Sequence, residues 1–133
     1  MATSSVTLSA LVVDDDALLR LMHTRLLEHE GWLVKAVVNG HEAVELFREG
    51  EHFDLVLMDK EMPVLDGVNA TAELRAMGAK CHIVGVTSCT DASDVESFLR
   101  AGLDAIQGKP LDQVKLHRIL HDFHEKRNGK GNA

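Results

Sequence analysis

A chain of 133 residues, 45% hydrophobic and 4% aromatic, is long enough for one domain with its own core. A formal net charge of -7 leaves no basic stripe for a nucleic acid to follow. No apolar run approaches the ~18 residues of a membrane span, and the polar start from Met1 to Ser9 lacks the regions of a signal peptide.

The predicted elements alternate strand and helix five times. Residues 8–13 form a continuous apolar strand that ends in Asp14, Asp15 and Asp16. Residues 18–29 have helical period, with Leu19, Met22, Leu26 and Leu27 on the core face and Gly31 as the stop. A strand over 32–36 leads through the Asn39-Gly40 turn to a helix over 42–48, with Ala43, Val44 and Phe47 inward. The third strand, 54–58, delivers Asp59 to a loop containing Pro63 and the Asp66-Gly67 turn, and a helix follows over 68–77. The fourth strand, 82–86, ends at Thr87 and Ser88 and precedes a helix over 92–101. A short fifth strand, 104–107, is followed by Lys109-Pro110 and a last helix over 112–126, with Leu116, Ile119, Leu120 and Phe123 along one side. The domain is expected over residues 6–126, with flexible termini at 1–5 and 127–133. Cys81 and Cys89 form no CxxC pair and read as free thiols of a reducing compartment. The protein is therefore expected in the cytoplasm, with the nucleus open to it.

Strict alternation with apolar strands implies an α/β fold, a parallel sheet covered by helices on both faces. Such sheets bind ligands beyond the C-terminal ends of their strands, where Asp14, Asp15, Asp59, Thr87 and Lys109 fall. In the doubly wound order 2-1-3-4-5, the first and fourth strands flank the third at about 4.8 Å. Three carboxylates brought that close repel one another, and a hard divalent cation, Mg2+, removes the repulsion. Lys109 enters from the fifth strand, roughly 10 Å from the third, a gap that only a long side chain covers. A cation, an ammonium, a hydroxyl and a central carboxylate together suit phosphoryl transfer to Asp59.

The stretches Leu11-Val12-Val13-Asp14-Asp15, Asp59-Lys60-Glu61-Met62-Pro63-Val64-Leu65-Asp66-Gly67, Val86-Thr87 and Gly108-Lys109-Pro110 resemble, at these spacings, the receiver domain of two-component response regulators. The resemblance runs over about residues 6 to 126 and implies a flavodoxin-like five-stranded sheet with five helices. It implies Asp59 as phosphoacceptor, Asp15 as a direct Mg2+ ligand, Asp14 as a ligand through water and Glu61 as donor of a backbone carbonyl. Thr87 and Lys109 would contact the phosphoryl group, and Lys109-Pro110 would be cis. The wording is most similar to plant regulators with a receiver and no output domain, often called type C, and also resembles receivers of hybrid histidine kinases. Such a protein takes its phosphoryl group from a histidine phosphotransfer protein and acts as a sink, a relay or a phosphohistidine phosphatase, here expected to be monomeric. The pattern departs at Ile106, where many receivers carry an aromatic switch residue, and at Glu61, which puts an acid beside the acceptor.

Other readings compete. A receiver-like module that only binds proteins would not need all of Asp14, Asp15, Asp59, Thr87 and Lys109. A flavin-binding flavodoxin would need a first loop that welcomes phosphate, and this one is acidic. Leu18, Leu21 and Arg25 form a second stripe on the first helix, turned from the core, and are expected to dock the partner. His117, His121 and His124 read as a solvated flank of the last helix, His23 as core and Asp16 as a helix cap.

Overall fold

The computed structural model describes residues 7–88 and 91–129. Within them strands and helices alternate as β1 Ser9–Val13, α1 Ala17–His29, β2 Leu33–Val37, α2 Gly40–Arg48, β3 Leu55–Asp59, α3 Gly67–Ala76, β4 His82–Thr87, α4 Ala92–Arg100, β5 Ala105–Gly108 and α5 Gln113–Gly129. The strands pair in parallel in the order β2-β1-β3-β4-β5, the doubly wound flavodoxin-like sheet expected. α5 runs past the expected end at Lys126. Cys89 lies outside the described residues; Cys81 is a free thiol that burial pushes up to about 11.

Alternate residues of each inner strand feed two cores, because successive side chains of a strand point to opposite faces. Ala10 and Val12 of β1, with Leu55 and Leu57 of β3, join Leu27, Trp32, Leu116, Ile119, Leu120 and Phe123 on the α1 and α5 side. Leu11, Val13, Val56 and Met58 join Ala43, Val44, Ala70, Leu74 and Phe98 on the α2, α3 and α4 side. β3 and β4 are buried along their whole length, whereas Leu33 on edge strand β2 is 63% exposed. The apolar face of α5 turns inward as its spacing predicts.

α1 corrects one expectation. Met22 is not a core residue; it is partly exposed in a groove against α5, and His23 is buried with Leu27 instead. Positions 23 and 27 stand one helical turn apart, so the inward face is centred on them and Met22 is rotated to its edge. Asp16 caps α1 as expected, its carboxylate accepting the N–H groups of Leu18 and Leu19.

Candidate functional site

The register decides which side chains meet. Val13 stands opposite Met58, Asp59 opposite Val86, and Thr87 opposite Gly108. The residues that follow β1, end β3 and β4, and follow β5 therefore converge at one edge of the sheet. Asp14, Asp15 and Asp59 each bring a carboxylate oxygen within 4.8 Å of the others. Asp14 and Asp59 are buried and Asp15 is exposed.

Lys109 crosses the gap from β5. Its Nζ lies 2.7 Å from Asp59 Oδ1 and 3.2 Å from Asp14 Oδ2. Its own N–H donates to the Thr87 carbonyl at 3.0 Å, and the Lys109-Pro110 peptide is cis, as expected. Asp14 is fixed on both sides: Oδ1 accepts the Asp16 N–H at 2.9 Å, and its carbonyl accepts Arg20 Nη1 at 2.8 Å. Thr87 is buried at the end of β4. Glu61 is exposed two residues beyond Asp59, the last residue of β3.

Burial lifts the Asp59 carboxyl to about 6; the Lys109 hydrogen bond pulls it down, and the neighbouring charge of Asp14 pushes it up. Burial also opposes the charge on Lys109, but its hydrogen bond to Asp59 and the two nearby carboxylates outweigh that, and its pKa is raised. Asp59 Oδ2 is buried without a hydrogen-bond partner among the described residues. A buried carboxylate oxygen left unpaired beside two more acids fits a hard, oxygen-seeking cation such as Mg2+. Asp14, Asp15 and Asp59 are the residues that would hold it.

The loop after β3 is closed tightly on itself. Gly67 donates its N–H to the Lys60 carbonyl at 2.7 Å, and a Cβ on Gly67 would stand 2.0 Å from the Asp59 carbonyl oxygen. Asp66 caps α3 through the Asn69 N–H at 2.8 Å. Gly40, from the Asn39-Gly40 turn, donates to the Leu65 carbonyl at 3.1 Å and ties the two loops together. Lys60 reaches to within 3.6 Å of Asp94 on α4, and neither that pair nor Arg20 stands out in the sequence.

Leu18 and Leu21 are 65% and 48% exposed, and Arg25 is exposed with them. Leu21 and Arg25 border an open groove of about 630 Å³ between α1 and α5, floored by Leu26, Leu111 and Leu116. His117, His121 and His124 are exposed on α5, and His117 pairs with Glu30 at 3.0 Å. Among the described residues the three aspartates are the one group spaced to hold a metal. Also among the described residues, no helix is long and apolar enough to cross a membrane.

The response regulator receiver domain matches residues 10–121. With the order 2-1-3-4-5 and an acid cluster at the strand ends, the chain belongs to the receiver domain family of two-component response regulators. Its relatives include plant regulators. It is 43% identical to Two-component response regulator 24 of Arabidopsis thaliana, over 86% of this chain and 82% of that protein. It is 40% identical to Two-component response regulator ORR41 of Oryza sativa subsp. japonica, over 85% and 91%. Among solved structures, the receiver domain of sensor histidine kinase PA1611 from Pseudomonas aeruginosa PAO1 superposes with a TM-score of 0.80 at 32% identity, covering 89% of this chain and 98% of that one. That structure carries a magnesium ion in its active-site cleft.

Proposed function

We propose that this protein is a phosphoacceptor of a histidine-to-aspartate phosphorelay, with Asp59 as acceptor. One observation carries the reading: a buried carboxylate, clustered with those of Asp14 and Asp15, holds an ammonium at 2.7 Å on one oxygen and has no hydrogen-bond partner on the other. Asp59 attacks the phosphorus of a phosphohistidine; the P–N bond breaks as the P–O bond forms, and the imidazole leaves. Lys109 holds an equatorial phosphoryl oxygen, and the Thr87 hydroxyl serves another. When bound at Asp14, Asp15, Asp59 and the Glu61 carbonyl, Mg2+ supplies the remaining charge neutralisation. Loss of the group as inorganic phosphate, by water attacking phosphorus, makes the protein a sink or a phosphohistidine phosphatase.

The donor is a histidine phosphotransfer protein, a helical bundle that must cover the mouth of the site for in-line transfer. Leu18 and Leu21 on α1, with Arg25 at the rim, are the anchors it would use, apolar contacts for affinity and charge for steering. Incubation with a phosphorylated phosphotransfer protein and Mg2+ tests the reading. The phosphate should move to the parent protein and then to solution, and Asp59→Asn should receive none. Substantial labelling of that variant would remove Asp59 from its role. A protein that binds the donor yet accepts no phosphate would be a non-catalytic module.

A further inference from the structure

His23 is 1% exposed on the inner face of α1, a position where an aliphatic side chain would serve the core without needing a polar partner. Its Nε2 accepts the main-chain N–H of Leu111 at 3.1 Å, across 88 residues of sequence. Leu111 is itself 2% exposed and follows Lys109 by two residues. Between them Pro110 has no N–H to give. The segment carrying the ammonium is therefore tied by its two available N–H groups, Lys109 to the Thr87 carbonyl and Leu111 to His23. Lys115 adds contacts to the Gly108 and Pro110 carbonyls at 3.1 and 3.3 Å.

We propose that His23 is a positioning residue for phosphoryl transfer, acting through the Leu111 N–H to hold Lys109 at its contact distance from Asp59. The proposal rests on the phosphoacceptor reading and deepens it. An accepting Nε2 requires the neutral ring with its proton on Nδ1. Burial favours that form, lowering the pKa of His23 against the opposing charge of Asp14. Without the acceptor, a buried N–H is stranded and the segment must shift to hydrate it. A displacement of that kind moves the Lys109 ammonium, and transfer is sensitive to shifts well under an ångström or two.

The test uses the full chain with acetyl phosphate and Mg2+, so that partner docking plays no part. His23→Leu keeps apolar volume and removes the acceptor; it should slow acyl-phosphate formation about tenfold. His23→Gln places its amide oxygen near the Nε2 position and should restore most of the rate. In a Lys109→Ala background, His23→Leu should add no further loss, because both changes act on one group. A parent rate in His23→Leu, equal slowing by Leu and Gln, or multiplied losses in the double variant would each overturn the proposal. Should His23→Leu not fold, ring-nitrogen NMR of the parent decides: an unprotonated Nε2 with a slowly exchanging Leu111 amide supports the bond, and a protonated Nε2 overturns it. Failure of the parent itself to be labelled at Asp59 would instead bring down the phosphoacceptor reading. A labelled parent with an indifferent His23→Leu would leave that reading standing and remove only this inference.

Discussion

Asp59 is destabilised as an anion by the same burial that keeps water away from it. Its folded pKa of about 6 lies above the ordinary 3.8, so the folded state holds the proton more tightly than the unfolded chain. The sign follows: that contribution is fully present below about pH 4 and is lost as pH rises through about 6. In metal-free buffer at pH 7.5, Asp59→Asn should therefore raise the melting temperature, by stability on the order of 1–3 kcal/mol. The gain should vanish below pH 4, and added Mg2+ should stabilise the parent more than the variant. Calorimetry across pH 4 to 8 checks this, and a constant difference between the two proteins would refute it. Gly67 closes the loop that follows Asp59, its N–H donating to the Lys60 carbonyl. Its Cβ would overlap the Asp59 carbonyl, so Gly67→Ala should cost about 1–3 kcal/mol and depress Asp59 labelling. Normal labelling with an unchanged melting temperature would show that the loop yields without disturbing Asp59.

At the scale of elements, α1 presents two different faces. His23 and Leu27 pack inward, while Leu18 and Leu21 stand exposed. Leu18→Ala combined with Leu21→Ala should slow transfer from a phosphotransfer protein and leave labelling by acetyl phosphate unchanged. Because neither side chain is buried, the melting temperature should move little, within about 0.5 kcal/mol of stability per site. Equal transfer from the protein donor in variant and parent would move the interface to the loops around Thr87 and Lys109. β5 and α4 raise a different question. Ile106 packs with Leu103 and Phe98 in the core on that side, and Phe98 and Leu103 fill the space over Gly85 so closely that a Cβ there would meet both at 2.6 Å. A β-branched aliphatic side chain has few rotamers to exchange. Amide shifts on beryllofluoride binding should therefore be small at Ile106. Large shifts across α4 and β5 would reveal a two-state element that works without an aromatic.

Across the whole molecule, two buried histidines contribute to the response to acid. His23 and His82 both have pKa values lowered from the ordinary 6.5, by burial above all. For His82 the carboxylates of Asp104 and Asp122 oppose that effect and the cations of Lys126 and Arg75 reinforce it. Below about pH 6.5 the unfolded chain binds protons that the folded protein refuses, so stability falls as pH drops. Asp59 works in the opposite sense between about pH 6 and 4 and masks part of the loss. The decline should therefore be steeper in Asp59→Asn than in the parent when both are melted from pH 7 downward. A flat profile in that variant would show that the two rings protonate freely inside the fold.

How much of this was legible in the chain depends on the range of the interaction. Strands, helices and their order follow from periodicity, turn residues and caps, all of which act over a few neighbours. Because parallel strands share one direction, placing Asp14, Asp15, Asp59, Thr87 and Lys109 after apolar runs already places them at one edge. That edge and the identity of its acids were determined by the sequence alone. What only the tertiary structure decided are contacts between distant segments. The 2.7 Å reach of Lys109, the unpaired Asp59 oxygen, and the exposure of Met22 beside a buried His23 depend on register and helix rotation. So does Arg75, whose guanidinium gathers the carbonyls of Ala79, Cys81 and Gly102 and the carboxylate of Asp104 from two connections. No local pattern encodes such pairings, because a histidine or an arginine finds its partner only after the chain between them has folded and brought it within hydrogen-bonding distance.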